Sequence, residues 1–170
     1  MIDHIIFDID GTLTDGGIYI SSNGVEVKRF QAKDGLLVRM LPRVGFTTMI
    51  MTGRNSELTS IRAEDLCISE VLQGINDKEA ALRDYFKKHK LSGERFAFIG
   101  DDLNDYEAMK LCAFKACPAD ATKEIRDICD YVSTEKGGSG AVREICEYLL
   151  REQGKYESFL GIFIHSENIR

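Results

Sequence analysis

Three short apolar stretches, Ile5-Ile6-Phe7, Phe46 to Met51 and Phe96-Ala97-Phe98-Ile99, each stop abruptly at a polar signature. The signatures are Asp8, then Thr52-Gly53-Arg54, then Gly100-Asp101-Asp102. Stretches this short and apolar read as core strands, and helical patterns lie between them. Asp34 can cap a helix with Leu36, Leu37, Met40 and Leu41 on one face, and Ser56 one carrying Leu58, Ile61 and Leu66. Asp77 can cap a third, through Leu82 and Phe86. This alternation predicts an α/β fold, a Rossmann-like parallel sheet flanked by helices. In such a sheet the carboxyl ends of the strands form the ligand crevice, which is where the polar signatures fall.

The remaining segments fit one domain over residues 1–170. Ile18-Tyr19-Ile20 and Val25-Glu26-Val27 flank Ser-Ser-Asn-Gly, and the Asn23-Gly24 pair predicts a small β-hairpin insertion over about 16–30. Val71-Leu72, Phe114 to Cys117 and Tyr131-Val132 are further strands, with a helix around Ile125. A last helix runs from Ser139 to Arg151. In the tail (about 155–170), the apolar stretch Phe159 to Ile164 is expected to form a strand or turn packed on its own domain, or to dock into a neighbouring subunit. Only the hairpin lies between Asp10 and Asp34, and little more than a helix and a strand between Thr52 and Lys78, so no separate cap domain fits.

Charge and cysteine content narrow the partners. A net charge of -6 argues against nucleic acid, and a small anion would need local positive charge. The five cysteines show no Cys-x-x-Cys pair, so neither a disulfide framework nor a zinc site is indicated. No run is apolar enough to cross a bilayer, and Ile2-Asp3-His4 leads straight into a strand without a signal-peptide pattern, so a cytoplasmic location is expected.

Asp8-Ile9-Asp10-Gly11-Thr12 alone would be a common strand-end turn. Gly11, however, lets backbone amides approach and cradle a phosphate. The Thr52 hydroxyl could donate to a phosphate oxygen, although a strand-end Thr is the commoner role. Lys78 beside carboxylates would neutralise charge and hold a phosphoryl group. Asp101, Asp102 and Asp105 place three carboxylates in five residues, which repel one another unless a proton or cation is present. Hard oxygen ligands select Mg²⁺.

The order of these four segments resembles the haloacid dehalogenase-like phosphatase superfamily across nearly the whole chain. The resemblance implies that Asp8 is the nucleophile and Asp10 the general acid–base. It places Mg²⁺ on the Asp8 carboxylate, the Asp10 backbone carbonyl and Asp101, with Thr52 and Lys78 on the phosphoryl group and Asp102 and Asp105 in support. Asp15-Gly16-Gly17-Ile18-Tyr19, Lys33-Asp34-Gly35, Gln73-Gly74 and Lys136 to Glu144 narrow the likeness further. They resemble the capless 3-deoxy-D-manno-octulosonate 8-phosphate phosphatase family of lipopolysaccharide precursor synthesis. Membership implies a homotetramer built through the hairpin, with each site completed by neighbouring subunits.

The implied substrate is a sugar-acid phosphate, with Gly53, Arg54 and Arg62 as candidates for binding it, since an Arg fork matches a carboxylate. A nonulosonate 9-phosphate is the alternative substrate, disfavoured because an acidic residue can follow Thr-Gly in that group and Arg54 follows it here. A catalytically silent interaction module is the alternative of another class. The complete set Asp8, Asp10, Thr52, Lys78 and Asp101 speaks against it. A phosphomutase would need a water-excluding cap, for which the chain has no room.

Overall fold

The computed structural model describes residues 1–164. In chain order it contains β1 (His4–Phe7), the hairpin strands β2 (Tyr19–Ile20) and β3 (Glu26–Val27), α1 (Ala32–Met40) and β4 (Thr47–Met51). Then come α2 (Glu57–Asp65), β5 (Glu70–Leu72), α3 (Lys78–His89), β6 (Phe96–Ile99), α4 (Tyr106–Lys110) and β7 (Phe114–Cys117). The chain closes through α5 (Lys123–Ile128), β8 (Tyr131–Val132), α6 (Ala141–Glu152) and α7 (Tyr156–Leu160). The main sheet has the order β5-β4-β1-β6-β7-β8 and every pairing in it is parallel.

Successive side chains of a strand face opposite ways, so each central strand feeds two cores. Ile5, Phe7, Ile50, Ala97 and Ile99 pack on one face against Leu37, Val38 and Leu41 of the α1 region and Val142, Ile145 and Leu149 of α6. Ile6, Met49, Met51, Phe96 and Phe98 pack on the other against Leu82, Met109 and Ile125. Burial on both sides is why these strands read as unbroken apolar runs.

Three local expectations change. Asp34 does not cap α1, which begins two residues earlier, at Ala32. It is buried, and its Oδ1 accepts the Arg143 N–H at 2.9 Å, so it caps α6 from across the fold. Gly140, at the N-cap of α6, has no side chain to do that. The tail forms a short helix, α7, rather than a strand, because Phe159 turns into the α1–α6 core. Phe163 and Ile164 stay exposed, and the part of the tail over 165–170 lies outside the described residues. The short helix α4 after Asp105 was not anticipated.

The hairpin stands off the sheet. Its base is tied by an antiparallel bridge between Thr14 and Phe30, and its strands pair Tyr19 with Val27 and Ile20 with Glu26. Gly24 has φ +82°, the left-handed turn that the Asn-Gly pair announces. Ile18, Tyr19, Ile20, Val25 and Val27 are all exposed. Among the described residues no helix is long and apolar enough to cross a membrane.

Candidate active site

The strand order reverses at β1, which lies between β4 and β6. A crevice opens at such a reversal, at the carboxyl ends of the strands. Asp8 follows β1, Thr52 follows β4, and Gly100-Asp101 follows β6. The Asp8 N–H donates to the Ile99 carbonyl at 2.9 Å, so the ladder itself fixes this residue against β6. Beyond Asp8 the backbone coils tightly through Ile9–Leu13, with Gly11 at φ +99°. A Cβ on Gly11 would stand 2.0 Å from Asp101 Oδ2, so only glycine lets the two loops meet. Thr12 Oγ1 completes that contact by donating to Asp101 Oδ1 at 2.9 Å.

The Gly137-Gly138 segment braces this loop from behind. A Cβ on Gly137 would lie 1.8 Å from the Gly11 carbonyl oxygen, and the Gly138 N–H donates to the Thr12 carbonyl at 3.2 Å. Glu144 holds the approach to the brace by accepting from Tyr131, Ser133 and Thr134. Burial opposes its charge, but these donors outweigh it and hold its carboxyl at about 2.

Lys78 opens α3 after Asp77, whose side chain accepts the Ala80 N–H at 2.9 Å as a cap. The Lys78 ammonium is fully buried and donates to Asp8 Oδ1 at 2.7 Å and Asp105 Oδ1 at 2.5 Å. The other Asp105 oxygen accepts the Asp101 and Asp102 N–H groups at 3.1 and 3.4 Å. Asp105 therefore shapes the loop that carries Asp101. A cavity of about 190 Å³ opens here, lined by Asp8, Asp10, Thr52, Gly53, Arg54 and Asp102 together with Asn104. A larger cleft of about 540 Å³ lies at the opposite ends of the strands, beside Ile2, Phe114 and Tyr148. Volume does not decide between them: the converging carboxylates, ammonium and glycine turn are all at the smaller one.

The sequence model for haloacid dehalogenase-like hydrolases matches residues 48–145 of the chain. The chain belongs to that family. Within this hydrolase family it is 35% identical to the 3-deoxy-D-manno-octulosonate 8-phosphate phosphatase of Haemophilus influenzae, over 93% of this chain and 88% of the relative. It is 38% identical to the same phosphatase of Escherichia coli K12, over 92% of this chain and 84% of that one. The crystal structure of the Moraxella catarrhalis 3-deoxy-D-manno-octulosonate 8-phosphate phosphatase, in complex with magnesium ion, phosphate ion and a KDO molecule, superposes with a TM-score of 0.92. It is 38% identical, over 96% of this chain and 94% of that one. A cobalt-bound form of the H. influenzae phosphatase gives a TM-score of 0.87 at 35% identity, over 93% and 92% of the two chains.

The donor set of this haloacid dehalogenase-like hydrolase suits magnesium. Asp8, Asp101 and Asp105 each bring a carboxylate oxygen within 4.8 Å of the others, all hard donors, against the single ammonium of Lys78. Burial, together with the charge of Asp8, pushes Asp101 up to about 8. Burial, then Asp105, pushes Asp8 up to about 6 although Lys78 opposes them. A proton or a divalent cation can each offset this crowding of carboxylates.

Because these folded-state values are raised, the metal-free protein binds more protons than the unfolded chain between about 4 and about 8. Its stability therefore falls as pH rises through that window. Magnesium is expected to raise the melting temperature by several degrees at pH 8.5 and by much less at pH 6, where protons compete for the same oxygens. Calorimetry at the two pH values, with and without magnesium, checks this, and an equal shift at both would contradict it.

Not every anticipated residue reaches the cavity. Arg54 does, and its Nη2 donates to Glu26 Oε1 at 2.8 Å. Arg62 does not line it: its guanidinium pairs with Asp65 and lies 5.4 Å from the Phe30 ring centroid. Two hairpin residues that the motifs did not single out do reach the site. Glu26 bridges Arg54 and the Ser56 hydroxyl, and Lys28 Nζ lies 2.5 Å from Asp10 Oδ1. Their alternation with Val25 and Val27 puts the pair on one side of the hairpin, but no signal in the sequence says that this side meets the site.

Proposed function

We propose that the chain is a magnesium-dependent phosphatase of 3-deoxy-D-manno-octulosonate 8-phosphate, working through an aspartyl-phosphate on Asp8. The observation that carries this is the Asp8 carboxylate, held by buried Lys78 at 2.7 Å and facing the same small cavity as Asp10. The likeness to phosphatases of that name over more than nine-tenths of the chain supports the substrate.

Asp8 uses its second oxygen to attack phosphorus in line, and the ester P–O bond breaks as the acyl phosphate forms. Asp10 gives its proton to the leaving sugar oxygen. It then takes a proton from the water that attacks the acyl phosphate, releasing inorganic phosphate and restoring Asp8. Lys78 and the Thr52 hydroxyl hold the phosphoryl oxygens. The Asp8 and Asp101 carboxylates and the Asp10 carbonyl would hold magnesium, which would supply neutralising charge to the transferring group. Asp102 and Asp105 support the loop.

A cavity of about 190 Å³ takes a phosphoryl group and the start of a sugar, well short of the roughly 300–1,000 Å³ usual for an enclosed small-molecule site. The sugar acid then extends past Gly53 towards Arg54, whose fork suits its carboxylate. An open site of this kind, with an exposed apolar hairpin beside it, supports a homotetramer whose subunits complete one another's sites. Five free cysteines fit a reducing, cytoplasmic setting.

The test is to compare kcat/KM, with magnesium present, on octulosonate 8-phosphate and on nonulosonate 9-phosphates. The eight-carbon substrate is expected to lead by about tenfold or more, roughly the value of one well-placed ion pair. A nine-carbon preference of that size would overturn the substrate assignment. Sedimentation of a monomer would overturn the tetramer.

A further inference from the structure

The hairpin reaches its own active site with two charged side chains from its second arm, Glu26 in β3 and Lys28 just past it. Glu26 and Lys28 alternate with Val25 and Val27, so the charged residues face the site while the valines face outward. The Lys28 side chain is only 3% exposed, and its ammonium lies 2.5 Å from Asp10 Oδ1. Burying a lysine head on the surface of a two-stranded ribbon is costly unless it is paired, and Asp10 is the partner. The Thr14–Phe30 bridge ties the base of the hairpin two residues away, so the reach of Lys28 is short and its aim fixed. Asp10 Oδ2, in contrast, is buried and has no hydrogen-bond partner among the described residues.

We infer that Lys28 is a positioning residue for Asp10: it holds Oδ1 and so fixes the direction in which the carboxyl group meets the sugar oxygen and the attacking water. Glu26, on the same face, holds Arg54 and Ser56 in the same way at 2.8 and 3.0 Å. One arm of the hairpin thus braces both the proton-transfer side and the sugar-acid side of the cavity. The inference rests on the acid–base reading of Asp10. The proton passes only between the Asp10 carboxyl group and substrate or water oxygen.

The test compares two leaving groups in the full-length protein with magnesium. Octulosonate 8-phosphate releases a basic alkoxide that needs a proton, whereas 4-nitrophenyl phosphate releases a stable phenolate that does not. In a single turnover with enzyme in excess, which reads leaving-group release before the acyl phosphate is hydrolysed, Lys28→Met is expected to slow release from the sugar phosphate by about 10- to 100-fold. It should slow release from the aryl phosphate by less than about threefold. Lys28→Arg, which can still hold Oδ1, should recover most of the loss. Lys28 is on a surface hairpin, so a general loosening would lower both substrates together. An equal fall on both, or no fall on either, overturns the assignment. Asp10→Asn separates the two layers of the argument. If it shows the leaving-group selectivity and Lys28→Met does not, only the role of Lys28 fails. If Asp10→Asn shows no selectivity, the acid–base reading fails and takes this inference with it.

Discussion

Replacing Asp8 with Asn is expected to abolish turnover while leaving the fold intact. An amide oxygen can still accept from Lys78, and Lys78 keeps its second partner, Asp105, at 2.5 Å. The backbone bond from Asp8 to Ile99 does not involve the side chain. What the amide lacks is a nucleophilic oxygen able to form an acyl phosphate, so the loss falls on chemistry rather than on packing. Removing a nucleophile commonly lowers kcat by about 10⁴-fold or more. Phosphate release from octulosonate 8-phosphate, measured beside a circular-dichroism melt, checks both halves. Activity within tenfold of the parent would sink the nucleophile assignment, and a lost melting transition would mean that Asp8 carries structure as well.

Lys78→Met should strike both stability and activity. The methionine fills the same volume but leaves Asp8 and Asp105, both buried, without their shared cation. Breaking a buried pair by removing one partner costs about 3–5 kcal/mol. For a chain of this length that is a fall in melting temperature of about 6 °C or more. The pH dependence has a definite sign. Lys78 opposes the burial that pushes the Asp8 carboxyl up to about 6, so its loss moves that value higher still. The variant's deficit should therefore widen as pH rises from 5 to 8 and shrink on acidification, where a proton replaces the missing ammonium. Turnover should fall by about 10²- to 10³-fold, the usual cost of losing one electrostatic contact to a developing charge. A variant that melts like the parent at pH 8 would show that the ion pair is not holding the site together.

The sheet was legible because its strands are buried on both faces and their ends are polar. β6 and β7 occur over the residues that the apolar pattern marked. The same strand ends brought Asp8, Thr52 and Asp101 into one crevice, and Asp77 caps α3 as its position implied. What escaped depended on contacts distant in sequence. Asp34 looks like a local cap because Asp before an apolar helical face usually is one, yet its acceptor serves Arg143. Lys28 and Glu26 look like the wet side of a hairpin, and only the fold-back of that hairpin turns their side inward. Arg62 lies on a helix that also carries Glu57, Glu64 and Asp65 at its surface, and no local signal told it apart from a pocket residue. The tail misled because an apolar run of five or six residues has no period long enough to separate a strand from a helix turn.

The central position of β1 also bears on how the protein is made. β1 precedes both of its neighbours, β4 and β6, and the Asp8 N–H is satisfied by the Ile99 carbonyl. The loop after Asp8 then waits for Gly137 and Gly138 to close behind it. On the ribosome β1 therefore emerges as an apolar segment whose neighbours follow only at Thr47–Met51 and Phe96–Ile99, and it must be kept from other chains until both have been translated. Catalytic competence thus waits for the glycine brace, and a nascent chain stalled before Gly137 would carry Asp8, Thr52, Lys78 and Asp101 without an assembled site.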